Sequence, residues 1–239
     1  MSSPSLPWLT WLDTCDSTNA WAARHLSRLY HGQVIYTPHQ THGRGQYGRR
    51  WVSGGFTASF VLANTGAIAA PSLLAGLAVV QAVELLVPAL RHQLQIKWPN
   101  DVMAAGKKLA GILCEQHQAW LVVGVGLNRH LPEEALPQAV SLQALSANAV
   151  PTVLELLVTV REELLWCWSH ARDGLTAVQQ RDFLQGRSLC VSHPQQPERL
   201  LCRGEGVGIN DSGHLQVRLA NGEIMAVASG HVTLAIPPL

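Results

Sequence analysis

The chain has 239 residues, enough for one sizeable domain or for a domain with a small appendage. Hydrophobic residues make up 47%, a globular share, while charged residues reach only 14% against a typical ~25%. The net charge of +1 excludes a global pull toward nucleic acid or a membrane, and five cysteines without a C-x-x-C pair read as reduced thiols of a cytoplasmic protein.

Residues 1–13 carry neither the basic region nor the apolar run of a signal peptide. Asp16 or Ser17 is placed to cap a helix running to about Tyr30, with Ala22, Leu26 and Leu29 on one face. Residues 33–37 read as a strand that leads into a glycine loop, "THGRGQYGRRW" (41–51), and 55–63 as a further strand with β-branched alternation. The uncharged stretch 51–83 is broken by Ser53-Gly54-Gly55, Asn64, Gly66 and Pro71, so it holds no membrane span. Pro71 opens a helix to about Val87, and its polar positions Gln81, Glu84 and Pro88 form one narrow stripe, so the helix is largely buried.

A β-rich block follows at 94–98, 108–115 and 119–128, with turns at Pro99-Asn100-Asp101 and Gly106-Lys107. After Pro151 a long helix carries Val153, Leu156, Leu157, Val160, Leu164 and Trp168 at helical spacing, and a helix over about 175–185 completes a first domain, 1–185. From Gly186 the chain changes to short strands joined by turns at Asn210-Asp211-Ser212-Gly213 and Asn221-Gly222. This second unit, 186–239, reads as a small β-barrel or meander packed on the first, and the whole as an α+β protein.

Local charge is more informative than the total. Between Ser17 and Val83 there is no Asp or Glu, yet Arg24, Arg28, Arg44, Arg49 and Arg50 are present, as if to face an anion. The only lysines are Lys97, Lys107 and Lys108, a concentration that suits a need for a compact ammonium. Gly43, Gly45 and Gly48 give a literal G-x-G-x-x-G, but the loop runs on into strand and turn, and no acid appears before Glu84. A dinucleotide loop needs a helix there and an acid about 20 residues on, so that reading is rejected. Glycines that let the backbone wrap an anion, with Arg44 and Arg49 as guanidinium forks, are the alternative. Trp51 reads equally as a ring against a purine or as a core tryptophan. Lys108 enters an apolar strand beside Ala110-Gly111, a pairing that favours a pocket over solvent. Asn128 ends a buried strand, where it offers an amide to a base edge or merely turns the chain. In "DSTN" (16–19), Ser17 or Thr18 is a helix cap or a polar ligand for a small ring. No histidine or cysteine spacing matches a metal site, including His39 and His42.

Taken in order, "DSTN", "GRGQYGRRW", "KWPND", "KLAGIL" and "GVGLN" resemble the catalytic domain of biotin protein ligases, and the β-rich tail resembles that family's SH3-like C-terminal domain. The resemblance implies a fold related to class II aminoacyl-tRNA synthetases, and formation of biotinyl-5′-AMP from biotin and ATP with Mg²⁺. The acyl group would then pass to a lysine of the biotin carboxyl carrier protein of acetyl-CoA carboxylase. Residue by residue, it implies that Ser17, Thr18, Asn19 and Gln40 hold the biotin head group and that Gly111 lines its pocket. Gly43, Arg44, Gly45 and Gln46 would close over the carboxylate, and Lys108 would touch carboxylate and α-phosphate. Arg49, Trp51 and Asn128 would hold the adenylate, Arg44 and Lys108 would be catalytic, and no metal cage of protein ligands is expected.

Two positions depart from the family pattern: Gln46 where a second arginine is common, and "GHVTLA" (230–235) where an acid and an arginine are usual. The fifteen residues before Asp16 leave no room for a winged helix, so the expectation is a ligase without DNA-binding repressor function, with side-by-side homodimerisation as a family habit. Three rivals are weighed. A lipoate ligase fits the arginine loop less well. A non-catalytic sensor would be expected to lack Lys108 or Arg44. A nucleic-acid module is opposed by the absence of Trp, Tyr and Phe from 186–239.

Overall fold

The computed structural model describes residues 6–52, 55–64, 66, 68–131, 137–146 and 150–235. Its elements are β1 (Leu9–Trp11), β2 (Thr14–Cys15), α1 (Thr18–His25), β3 (Gln33–Tyr36), β4 (His39–Gln40), β5 (Gly55–Ala63) and α2 (Pro71–Leu86). There follow β6 (Leu94–Lys97), β7 (Asp101–Ala104), β8 (Lys107–His117), β9 (Trp120–Asn128), α3 (Leu142–Leu145), α4 (Val153–Ser169) and α5 (Ala171–Gln179). Last come β10 (Ser188–His193), β11 (Gln196–Ile209), β12 (Leu215–Arg218), β13 (Ile224–Val227) and β14 (His231–Leu234). A seven-stranded sheet in the order β1-β3-β5-β9-β8-β7-β6 is antiparallel except at β1–β3, and a five-stranded antiparallel sheet has the order β13-β12-β11-β10-β14. The α+β expectation holds.

The large sheet divides its two faces by residue parity. Phe56, Ala58, Phe60 and Leu62 of β5 and Leu121, Val123, Val125 and Leu127 of β9 point into the main core. There α2 and α4 pack on each other and on the sheet. Helix α2 starts at Pro71 and is apolar on nearly every side because it lies between sheet and helices. Its one buried acid, Glu84, receives both guanidinium nitrogens of Arg181 at 2.7 and 2.9 Å. Removing either partner would strand a buried charge at a cost of about 3–5 kcal/mol. On the opposite face α1 covers Val61, Val122 and Ile35 through Ala22 and buries Ser59 under Thr18 and Asn19, leaving Thr57 and glycines of β8 and β9 to line a cavity.

Three local expectations are corrected. Helix α1 stops at His25, not near Tyr30, and a single 3₁₀ turn follows, because Leu29 must turn back into the cluster with Ala22, Ile35, Val61 and Val122. The helix expected over 175–185 spans Ala171–Gln179. Beyond it the chain runs along β6: Ile96 N–H donates to Arg181 O (2.8 Å) and Phe183 N–H to Ile96 O (2.9 Å), satisfying an otherwise bare sheet edge. Strands β7 and β14 were not read as strands at all. The turn at Ser53-Gly54-Gly55 lies outside the described residues at its first two positions. Helix α4 carries a capping box in which Thr152 and Glu155 bond each other's backbone N–H, as the helix start after Pro151 requires.

The small sheet shares the main core. Leu189, Val191, Leu215, Val217 and Val232 belong to the same buried cluster as Leu73 and Trp98. Trp98 Nε1 donates to Gly213 O at 3.0 Å, tying the two sheets together. Among the described residues no helix is long and apolar enough to cross a membrane.

Asp182, on the segment that edges β6, is buried, and its Oδ1 accepts the Leu184 N–H at 2.9 Å. Burial pushes its carboxyl up to about 6, and the Leu184 bond only partly opposes this. The folded state therefore binds this proton more tightly than the unfolded chain. The stability it contributes is present below the ordinary carboxylate range, declines as pH rises toward about 6 and is gone above that. Asp182→Asn should thus raise stability at pH 8 by on the order of 2 kcal/mol and flatten the pH dependence between about pH 4 and 6. Urea denaturation at about pH 4 and at about pH 8 checks this; equal midpoints for variant and wild type at the higher pH would refute it.

Candidate functional site

The glycine loop folds as a tight hairpin. Trp51 N–H donates to Gly43 O (3.0 Å), Gly45 N–H donates to Arg49 O (2.7 Å), and Arg44 bridges Arg50. At its tip Tyr47 (φ 56°) and Gly48 (φ 76°) both take the left-handed conformation, as primed hairpin turns require. Gly43 is needed for packing: a Cβ there would lie 3.0 Å from Gln40 Nε2 and 2.5 Å from Trp51 O. No helix follows the hairpin, which settles the matter against a dinucleotide loop.

The hairpin roofs a cavity of about 520 Å³ whose floor is the open face of the large sheet. Across that floor Asp101, Gly111, Gly126 and Thr57 stand in one register row, and Leu113, Gly124 and Ser59 in the next. The glycines clear the space. A Cβ on Gly126 would strike the Trp51 indole, one on Gly111 would sit 3.1 Å from the same ring, and one on Gly124 would be 2.6 Å from Asn19 Oδ1. Trp51 thus lies over bare backbone, with Lys108 Nζ 5.6 Å from its ring centroid.

One end of the cavity is a network of uncharged side chains backed by the Glu115–Arg44 ion pair. Gln40 Oε1 accepts from the Thr18 backbone N–H (2.8 Å) and from its hydroxyl (3.2 Å). Ser59 Oγ lies 2.7 Å from Thr18 Oγ1 and 2.5 Å from Asn19 Oδ1. The Asn19 amide donates to Leu113 O (3.1 Å) and Glu115 Oε2 (2.8 Å), and Glu115 also meets Arg44 at 3.2 Å. Ser17 caps α1 through Ala20 N–H, fixing Thr18 and Asn19 on its first turn.

The other end is cationic. Lys108 pairs with Asp101 across β7 and β8 at 2.5 Å. Lys97 is largely buried beside them; burial lowers its ammonium below the ordinary value, Lys108 and Arg49 push it further down, and Asp101 pulls it back. The Lys108 backbone is clamped: its N–H donates to Gln138 O (2.7 Å), and its carbonyl accepts from Val140 N–H (2.9 Å) and Asn128 Nδ2 (3.3 Å). Asn128 Nδ2 also donates to Val140 O (3.2 Å), so both its donors are spent on protein and only its carbonyl oxygen remains to offer a ligand. Strand β14 closes this end with His231 and Val232.

Ser17, Thr18, Asn19, Gln40, Arg44, Gly45, Gln46, Arg49, Trp51, Lys108, Gly111 and Asn128 all line this one cavity, and among the candidates Gly43 alone stands behind it. Ser59 and Glu115 were not singled out, while Lys97, Asp101 and His231 figured only in the lysine cluster, "KWPND" and "GHVTLA", without a site role of their own. Parity was the available signal for two of them: Ser59 follows Thr57, and Glu115 follows Gly111, at even spacing on the open face. Among the described residues no group of three or more His, Cys, Asp or Glu side chains is placed to hold a metal ion.

Residues 11–128 match the model of the biotin/lipoate A/B protein ligase family. The biotin–[acetyl-CoA-carboxylase] ligase of Mycobacterium tuberculosis is 34% identical over 216 residues, covering 84% of this chain and 78% of that protein. Its namesake in Paracoccus denitrificans is 33% identical over 224 residues, covering 85% and 91%. Among solved structures, the biotin protein ligase from Aquifex aeolicus in complex with biotin and ATP superposes with a TM-score of 0.81 at 26% identity, over 95% of this chain and 99% of that one. With the shared motifs lining a single cavity, the chain belongs to the biotin/lipoate A/B protein ligase family, among its biotin protein ligases.

Proposed function

We propose that this cavity condenses biotin with ATP to biotinyl-5′-AMP and passes the acyl group to a lysine of a biotin carboxyl carrier protein. The observation that carries the reading is the polarity of the cavity: a neutral network of Thr18, Asn19, Gln40 and Ser59 at one end, cations at the other, and a glycine floor between. A polar, uncharged ring joined by an apolar tail to a carboxylate fits that order. The relatives' names and the ligands of the Aquifex complex support it.

In the first half-reaction a carboxylate oxygen attacks the α-phosphorus and pyrophosphate leaves. Two anions must meet, so fixed positive charge at the meeting point lowers the barrier. Lys108 holds that place, its backbone locked on both sides and its ammonium poised to exchange Asp101 for the incoming oxygens. Arg44, half-exposed on the hairpin and loosely held by Glu115, is free to swing onto the carboxylate, and Arg49 meets the phosphates. Asp101 is the one acid among the described lining residues and is already paired, so the donor set suits a Mg²⁺ carried on nucleotide oxygens. Bound there, the ion would offset phosphate charge. In the second half-reaction the acceptor amine attacks the acyl carbon and AMP leaves, while the roofing hairpin limits escape of the adenylate to water.

We place the division of labour at 185/186, the first unit supplying floor and roof and the second an end wall. The activity is proposed without repressor function: among the described residues α1, α2 and α4 are committed to packing on the sheet.

Pyrophosphate–ATP exchange with Mg²⁺ and biotin, lipoate or no acid tests the reading. Exchange dependent on biotin is expected, and exchange with lipoate alone would overturn it. Lys108→Ala should cut the exchange rate by at least about 100-fold with the fold intact, whereas near wild-type turnover would remove Lys108 from its role. Gly124→Ala should raise the KM for biotin by about 10-fold or more by displacing Asn19; an unchanged KM would show that Asn19 does not touch the ring. Gln46→Arg should slow release of biotinyl-5′-AMP, measured as its lifetime on the enzyme in the absence of carrier.

A further inference from the structure

His231 has no part in the chemistry above, yet β14 sets it in the wall of the cationic end. Charged groups from three other segments face it: Arg49 on the hairpin, Lys97 at the end of β6 and Asp101 at the start of β7. On its own sheet its register neighbour is the neutral Ser192 of β10. Asp101 is engaged by Lys108, so two cations dominate the field at the imidazole. Burial first, then Arg49 and Lys97, lower the imidazole below its ordinary value, with Asp101 in opposition. In the free protein these surroundings therefore favour the uncharged ring. A triphosphate drawn in by the same cations reverses the sign of that field.

We propose that His231 is a phosphate ligand contributed by the C-terminal sheet, and that it binds the nucleotide as imidazolium, so that ATP binding takes up a proton. The inference rests on the reading that this cavity takes ATP, and adds a contact and a linked equilibrium to it. One proton moves from solvent to the free ring nitrogen, no covalent bond to carbon changes, and a ring N–H donates to a phosphate oxygen. The sign follows from linkage: affinity for nucleotide is greatest where the ring is charged and falls as pH rises through the titration of the bound state.

Calorimetry of the whole chain with saturating biotin, Mg²⁺ and α,β-methylene-ATP, whose P–C bond blocks the reaction, tests this at pH 7.5 in buffers of different ionisation enthalpy. Wild type should take up roughly half a proton or more per nucleotide beyond that seen for His231→Asn. His231→Arg should hold the analogue with affinity that is flat from pH 6.5 to 8.5, while wild type weakens by about 3-fold or more across the same range. Uptake in His231→Asn equal to wild type, or a pH dependence in His231→Arg equal to wild type, overturns the role of His231. Wild type that binds biotin but not the analogue defeats the ATP reading itself, and is told apart by the absence of any nucleotide heat.

Discussion

Two neighbouring strands must serve a solid core with one face and an open cavity with the other. In β8 and β9 alternate residues meet that demand. Ala110, Ile112, Val123, Val125 and Leu127 fill the core, while Gly111, Gly124 and Gly126 leave the other face bare. A side chain at any of the three would meet Trp51, Lys108 or Asn19. Glycine in a strand interior forfeits packing and costs conformational entropy, so the core face must be unusually complete to carry it. The near-total burial of α2 against that face provides the compensation.

From this floor the rest of the site follows. Because the floor is flat, the polar groups that give it specificity must come from the edges and from above: α1 supplies Thr18 and Asn19, β4 supplies Gln40, and the hairpin supplies Arg44, Arg49 and Trp51. The polar end is tied together by the Thr18 and Ser59 hydroxyls, the Asn19 amide and the Gln40 carbonyl oxygen, so its geometry is set by protein contacts. The cationic end is the reverse. Lys97, Lys108 and Arg49 crowd around a single carboxylate, an arrangement that repels itself and is relieved by an anion. One end is preorganised and the other is held in tension by charge.

What the sequence made legible was mostly local. Alternation placed β5 and β9 to within a residue, and the positive, acid-free loop marked out what proves to be the roof of the cavity. What escaped depended on tertiary partners. Leu29 reads as a continuation of α1 until the cluster at Ile35, Val61 and Val122 is seen to need it. Residues 180–183 have helical spacing, yet the open edge of β6 captures their backbone. Ser59 and Glu115 sit inside apolar strands with no motif to mark them, and only the register across β5, β9 and β8 brings them to Asn19. His231 comes from the other end of the chain, in a "GHVTLA" segment that stood out as a departure from the family pattern but gave no sign of reaching this cavity. The hairpin misled in its letters: its glycines serve a left-handed turn and a close approach to Gln40 and Trp51, not a helix start.

The indole of Trp98 joins the two sheets through Gly213, and Leu73, Leu189 and Val232 lie in one uninterrupted core. With apolar contacts running across the boundary, the small sheet has no separate free energy to lose: detaching it would open the flank of α2 and expose buried surface on both parts. The two sheets therefore share one core despite the two-part architecture, and the cavity, whose walls come from both parts, lasts only as long as that core does.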